Sequence, residues 1–189
     1  MFLTRNKFKI NYLLLYVLLI FFYFTPFKYL FAENIYIGVA SNFLKPMKVL
    51  KDNFESKNEG QIFISSGSSG SLYAQIINGA PLDIFLSADQ DLPKKLEKTT
   101  KAILGTRFTY ATGKLAAYST KKILFNQTFP EILISNKVRF IGIGKPEYVP
   151  YGRAAKEVLK SLNIFKEISP KFVLGKSVNQ VFLMSFFGN

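Results

Sequence analysis

The sequence contains no cysteine, no histidine and no tryptophan. Without cysteine there is no disulfide framework, no thiolate zinc site and no thiol-linked lipid anchor. Without histidine, the commonest zinc ligand and the usual general base at neutral pH are both missing. These absences argue against a metalloenzyme and against a hydrolase with a histidine-containing triad. We therefore predict no zinc site built from histidine or cysteine.

Acidic residues are scarce, since 12 Asp and Glu stand against 25 Lys and Arg, and the formal net charge is +13. The basic residues are scattered singly or in short pairs such as Lys94-Lys95. Nucleic-acid binding calls for clustered basic residues with exposed aromatics between them, so we predict no nucleic-acid partner. A basic surface does attract small anions.

The amino-terminal segment has the three-part plan of a secretory signal peptide. Three basic residues precede the unbroken apolar run Leu13–Phe24, and a short polar break leads to Ala32. The run falls short of the ~20 residues that a membrane-spanning helix needs. We predict that residues 1–32 are a signal peptide cleaved after Ala32. The alternative is an uncleaved membrane anchor, and the rest of the chain is exported in both cases.

The chain is organised around residues 62–90, which read as one βαβ unit. An apolar strand leads through the Gly/Ser turn 65–70 into a short helix, and a Gly-Ala-Pro break leads into a second apolar strand. Ligands of open α/β sheets bind at the carboxyl ends of the strands. A helix start there offers N–H groups and the positive end of a dipole, so the turn favours an anionic ligand.

The same strand-to-helix pattern recurs at three other places. Strands are predicted at 34–40, 138–143 and 171–174, and helices follow at 44–55, 153–162 and 180–187. A further strand is predicted at 108–120, as a connection into a second lobe. Helix starts that face one cleft would supply N–H and hydroxyl donors without a compensating cation, which suits a dehydrated, fully hydrogen-bonded oxyanion.

Simpler interpretations of some of these residues stay open. Ser41 or Asn42 can be read as the cap of the helix that follows. Asp83 is read as a helix or turn cap, since a carboxylate would repel an anion. The run Gly67-Ser68-Ser69-Gly70 resembles a nucleophile turn, but Ser71 stands where the G-x-S-x-G pattern needs glycine.

With these residues in view, the chain resembles the periplasmic molybdate-binding proteins of ABC transporters. The matching stretches are IYIGVASNFLKPM (35–47), GSSGSLYAQIINGAPLDIFLSADQ (67–90) and GKPEYVPYGRAAKEVL (144–159). Their order and spacing also match, and the block NGAPLDIFLSADQ is quite specific. The resemblance covers essentially the whole chain after Ala32, but only the earlier part of the family pattern.

The resemblance implies an α/β protein with the two-lobed type II periplasmic binding protein fold, in which each lobe is a three-layer αβα sandwich. Residues 33–112 are expected to form the first lobe and residues 113–189 the second. Because the family pattern continues further, we expect the chain to be C-terminally truncated, with the second lobe and the hinge return incomplete. A tyrosine ligand of the family would fall in that later part.

The resemblance also implies a set of ligand-binding residues for molybdate or tungstate, held by neutral donors. Carried over position by position, they are Ser41 and Ser69 in the first lobe, and Tyr151 and Val178, through backbone N–H groups, in the second. The family has a small residue where Tyr151 stands. Supporting roles are expected for Ser68 and Asn42.

The predicted function is capture of molybdate or tungstate in the periplasm and its delivery, by a monomer, to an ABC-type membrane permease. The resemblance implies a binding protein that is not an enzyme, that needs no cofactor and that has no direct metal-cation ligands. One alternative is a binder of another small oxyanion, such as sulfate, on the same fold. Another is a truncated remnant without binding function.

Overall fold

The computed structural model describes residues 34–121 and 128–187. The predicted signal peptide, residues 1–32, lies outside the described residues, so its cleavage or retention stays a prediction. Among the described residues, no helix combines the length and the apolar character that a membrane crossing requires.

The first half of the described chain forms a three-stranded parallel sheet with helices between its strands. The strands are β1 (Ile35–Ala40), β2 (Ile62–Gly67) and β3 (Ile84–Leu86), and the helices are α1 (Leu44–Glu55), α2 (Ser69–Ile77) and α3 (Asp91–Lys98). The strand order is β2-β1-β3, so β1 is central and pairs in parallel with both neighbours. All three carboxyl ends therefore lie at one edge of the sheet.

Apolar residues on β1 explain why this half folds. Ile37 and Val39 are buried and pack with Met47 of α1 and Ile62 of β2. The apolar positions of α1 recur at helical spacing, so one face of that helix covers the sheet. The bounds predicted for the strand 34–40 and the helix 44–55 agree closely with those of β1 and α1.

The second half contains a smaller parallel sheet. Its elements are α4 (Glu131–Ile134), β4 (Ile141–Gly144), α5 (Pro150–Ser161), α6 (Phe165–Ile168), a 3₁₀ turn (Ser169–Lys171), β5 (Phe172–Gly175) and α7 (Val178–Phe187). Strands β4 and β5 pair in parallel, with Gly144 opposite Gly175. A separate core of Leu159, Ile164 and Ile168 packs beneath them.

The strand predicted at 108–120 is wrong. These residues form no strand in the structure. A strand needs a neighbour for its backbone hydrogen bonds, and side chains tie this stretch instead. Gln90 Nε2 donates to Thr109 Oγ1 at 3.0 Å, and Tyr110 Oη donates to the Ser87 carbonyl at 2.9 Å.

Two helices begin earlier than the sequence predicted. Helix α5 starts at Pro150 rather than at residue 153, with proline at the first position, where its missing N–H costs nothing. Helix α7 starts at Val178 rather than at residue 180. Both shifts place a predicted ligand residue inside a first helical turn, where N–H groups lack intrahelical acceptors.

The described residues thus form a mixed α/β protein with two parallel sheets, as the predicted fold class requires. Each sheet has its own core. The predicted boundary between residues 112 and 113 stays a prediction.

Candidate functional site

The six residues predicted to bind or support the ligand line one small cavity. It lies where the carboxyl ends of β1, β2, β4 and β5 meet the helices that follow them. The lining residues are Ala40, Ser41, Asn42, Gly67, Ser68, Ser69, Ala88, Val149, Pro150, Tyr151 and Val178. Sequence reasoning brought together residues separated by more than a hundred positions, although their role as ligands stays a prediction.

The cavity is small and neutral. Its volume of about 10 Å³ is room for about one water molecule, so a four-oxygen anion requires its walls to move apart. Among the described lining residues there is no Lys, Arg, Asp or Glu. A buried anion would therefore be held by hydrogen bonds from neutral groups and helix starts rather than by a counter-charge.

Ser68 and Ser69 have different tasks at the start of α2. Ser68 is the N-cap of the helix, and its Oγ accepts from Ser71 N–H at 3.2 Å. Ser69 is almost fully buried, and its Oγ accepts from Ala88 N–H at 2.9 Å. No described acceptor takes the hydroxyl proton or the N–H of Ser69. Ser69 thus presents two donors at the cavity, whereas the Ser68 hydroxyl is engaged in the cap.

Ser41 and Asn42 do not cap a helix in the described structure. They lie in a short 3₁₀ turn, Ser41–Phe43, between β1 and α1. The residue before this turn is Ala40 and the residue before α1 is Phe43, and neither start has a side-chain cap. The capping interpretation of these two residues is therefore wrong. Both residues line the cavity, and neither side chain makes a described hydrogen bond.

The second half contributes backbone donors. Tyr151 is the first residue of α5 with an N–H, because Pro150 has none, and Val178 is the first residue of α7. No described acceptor takes either N–H. Helix starts leave such groups unsatisfied within the helix, so both are available to an anion in the cavity.

The bulk of Tyr151 is accommodated beside the backbone of Gly113. A Cβ at Gly113 would overlap the Tyr151 hydroxyl, and the ring carbon Cζ would lie 3.2 Å from it. The tyrosine ring therefore extends towards the 108–120 stretch. This placement lets a large side chain stand where the family resemblance implies a small one.

Tyr110 is a neighbour of the site that sequence reasoning missed. The centroids of the Tyr110 and Phe43 rings lie 4.9 Å apart in an edge-on arrangement, and the Tyr110 hydroxyl donates to the Ser87 carbonyl. Burial, and secondarily the nearby Tyr151, raises the pKa of Tyr110 above its usual value. Tyr110 therefore stays a neutral donor at physiological pH. No motif marks it, because its position depends on contacts with residues distant in the sequence.

The two halves touch at the rim of the cavity. Gly70 N–H donates to the Tyr148 carbonyl at 3.0 Å, and Arg153 Nη2 pairs with Asp89 Oδ2. The first contact requires glycine, because a Cβ at Gly70 would lie 2.8 Å from the Cα and the carbonyl oxygen of Tyr148. Sequence reasoning missed both contacts, which join residues far apart in the chain.

Asp83 has a structural task, although it is not a helix cap. Its Oδ2 accepts from Tyr36 N–H at 2.7 Å, at the start of the β1–β3 pairing. It is absent from the cavity lining. The described residues also include no group of three or more Asp and Glu placed to hold a metal ion.

A larger surface groove, of about 580 Å³, lies between α1 and β2. Two of its charged residues already have partners. Lys51 Nζ donates to the Ile62 carbonyl at 2.8 Å, and Glu55 accepts from Ile62 N–H at 2.7 Å. The bond from Lys51 and that backbone bond lower the pKa of Glu55. These two charged residues therefore hold the start of the edge strand β2 in place. We place the candidate site at the smaller cavity.

Curated relatives align with most of this chain. The chain is 37% identical over 158 residues to the molybdate-binding protein ModA of Azotobacter vinelandii, covering 84% of this chain and 62% of the relative. It is 35% identical over 158 residues to ModA of Rhodobacter capsulatus, with the same two coverages, 84% and 62%. The chain thus spans less than two thirds of the length of these relatives.

A solved structure agrees in fold. The periplasmic molybdate-binding protein of Azotobacter vinelandii superposes with a TM-score of 0.76 at 38% identity, covering 80% of this chain and 66% of that one. The relatives are named for binding rather than for catalysis. The family model described as bacterial extracellular solute-binding protein matches residues 35–187. The chain therefore belongs to the bacterial extracellular solute-binding protein family.

Proposed function

We propose that this protein binds molybdate, or the near-isosteric tungstate, between its two halves and delivers it to an ABC-type membrane permease. One observation carries the proposal. Ser41, Ser69, Tyr151 and Val178 all line one uncharged cavity, and no described acceptor takes the N–H of Ser69, Tyr151 or Val178. A cavity that offers donors and no counter-charge selects a fully deprotonated oxyanion by size and geometry.

The relatives support the choice of molybdate among oxyanions. Both curated relatives quoted above are named molybdate-binding proteins. Sulfate has the same charge and shape class as molybdate but is smaller. Discrimination between molybdate and sulfate would therefore depend on the separation of the cavity walls around the bound anion.

The remaining features of the proposal follow from this role. A solute-binding protein that serves a permease works outside the cytoplasm, which agrees with export by residues 1–32. We place it in the periplasm, and we expect a monomer, because each chain carries donors from both halves. The protein acts by binding and release and performs no catalysis.

Isothermal titration calorimetry on the purified exported chain tests the proposal. Molybdate and tungstate are expected to bind with 1:1 stoichiometry, and sulfate is expected to bind at least about 100-fold more weakly, a difference of about 2.7 kcal/mol. Equal weak heats with all three anions would contradict the proposal. Tight binding of sulfate alone would favour the other oxyanion binder.

A matched pair of serine variants locates the binding site. Ser69→Ala removes a hydroxyl that lines the cavity, whereas Ser66→Ala removes one from an exposed position of β2 in the same Gly/Ser stretch. Molybdate binding is expected to weaken in the first variant and to stay unchanged in the second. The same loss in both variants would place the anion elsewhere.

A further inference from the structure

Two side chains outside the cavity lining join its opposite walls. Asp89 follows Ala88, a lining residue of the first half, and Arg153 lies two residues after Tyr151, a lining residue of the second. Their side chains form an ion pair, with the Arg153 side chain 33% exposed and the Asp89 side chain 14% exposed. Because about a third of the Arg153 side chain is exposed, added salt partly screens the pair.

Asp89 is held in place by the oxygen that does not touch Arg153. Its Oδ1 accepts from Leu92 N–H at 3.1 Å and from Ser87 Oγ at 3.1 Å, so it is tied to the first turn of α3. Its Oδ2 is the atom that pairs with Arg153. The neighbouring Ala88 N–H is bonded to Ser69 Oγ. Asp89 is thereby part of the hydrogen-bonded turn that positions the Ser69 hydroxyl.

Arg153 lies near the start of α5. Its N–H donates to the Val149 carbonyl at 3.2 Å. The helix start rests directly on β4, because a Cβ at Gly152 would overlap the Gly144 carbonyl. A cation near a helix N-terminus is unfavourably placed in the helix dipole. The Asp89 carboxylate offsets that cost only when the two halves are together.

We propose that Asp89 and Arg153 are positioning residues, whose ion pair limits how far the two walls of the cavity separate while the anion is bound. This inference rests on the proposed function, because it assigns the pair a part in retaining the ligand. Neither residue lines the cavity. The ion pair lowers the rate at which the closed complex opens, so it sets how long the anion stays bound rather than how fast it arrives.

Two single substitutions and their double variant test the pair. Asp89→Asn keeps a side-chain oxygen for the bond from Leu92 N–H and removes the charge that faces Arg153. Arg153→Gln removes the cation and leaves the bond between Asp89 and Leu92 untouched. Arg107→Gln is the matched control, because it breaks an Arg–carboxylate pair with Glu97 that lies within the first half.

Molybdate affinity is measured by calorimetry and the rates by stopped-flow tyrosine fluorescence on the purified exported chain. Asp89→Asn and Arg153→Gln are each expected to raise the dissociation rate about 5- to 20-fold and to change the association rate less than about twofold. The double variant should match the single variants. Arg153→Lys should recover part of the loss, and the control should match the unsubstituted protein.

Salt provides a readout that a purely structural role would not move. The dissociation rate of the unsubstituted protein is expected to rise with sodium chloride, and that of Asp89→Asn to lose most of this dependence. Unchanged dissociation rates in both single variants would overturn the inference. So would equal salt dependence with and without the pair, or independent, additive effects in the double variant.

Small-angle scattering separates this inference from the proposed function. If the unsubstituted protein fails to bind molybdate, the proposed function is wrong, and the pair is judged by the ligand-free radius of gyration. Asp89→Asn and Arg153→Gln are then expected to increase that radius while Arg107→Gln does not. An unchanged radius in that case would overturn the pair's role in closure.

Discussion

The two halves of the candidate site are built in different ways. The first half presents side-chain hydroxyl groups from Ser41 and Ser69, and a hydrogen bond from Ala88 N–H to Ser69 Oγ fixes the Ser69 hydroxyl in place. The second half presents backbone N–H groups of Tyr151 and Val178, and close packing fixes them, with Gly152 pressed against Gly144. The donors of the first half therefore depend on the chemistry of its side chains. The donors of the second half depend on close packing between its backbone segments.

This difference predicts how each wall fails. In the first half, removal of one hydroxyl deletes a donor and leaves the backbone in place. In the second half, removal of a side-chain group spares the donors, whereas addition of a methyl group at a contact glycine moves the whole helix start. The variants below are ordered from the largest expected effect to the smallest.

Gly152→Val is expected to have the largest effect. The new Cβ would overlap the Gly144 carbonyl, which belongs to backbone and cannot rotate away. Overpacking of this kind costs about 3 kcal/mol or more of the free energy of unfolding, at the upper end of the usual range. Urea denaturation followed by circular dichroism measures it.

Glu157→Val is the control for that variant, since it places the same residue at an exposed position of the same helix. Its effect is expected to stay within about 0.5 kcal/mol. Equal destabilisation by both substitutions would show that helix propensity, and not the contact between Gly152 and Gly144, decides the stability of this wall.

Ser69→Ala is expected to weaken molybdate binding by about 10- to 100-fold. A hydrogen bond to a charged group contributes about 1.5–3 kcal/mol, and each 1.4 kcal/mol is a factor of ten. The substitution also leaves Ala88 N–H without the acceptor it has in the structure. Calorimetry measures the affinity. A change in affinity below about threefold would mean that the Ser69 hydroxyl does not bind the anion.

Tyr151→Phe is expected to have the smallest effect, less than about a twofold change in molybdate affinity, because the expected donor is the backbone N–H. A twofold change corresponds to about 0.4 kcal/mol. The same titration measures it. A loss comparable to that of Ser69→Ala would mean that the tyrosine hydroxyl binds the anion, and the contrast between the two walls would break down.

Sequence reasoning located the first wall more completely than the second. The turn at Ser68 and Ser69 is visible because a strand, a Gly/Ser run and a helix follow one another within a short stretch. A serine hydroxyl can also be recognised as a donor from the residue type alone. The start of α5 was placed at residue 153 instead of Pro150, since the loop before it gives no side-chain signal for the first turn.

Contacts between distant stretches could not be predicted from local patterns. The pairing of Asp89 with Arg153 and the bond from Gly70 to Tyr148 depend on how the two sheets face each other. The stretch 108–120 has the composition of a strand, but strand formation also depends on a neighbour to pair with. Its actual ties, through Tyr110 and Thr109, are side-chain bonds that periodicity does not reveal.

The central claim is that donors from both walls converge on one oxyanion. Amide ¹⁵N–¹H NMR spectra recorded during titration with molybdate test it most directly. The account predicts that the amide signals of Ser69, Tyr151 and Val178 shift together and saturate at one equivalent, while that of Ser66 stays unchanged. Shifts confined to one wall, or to the groove between α1 and β2, would contradict it.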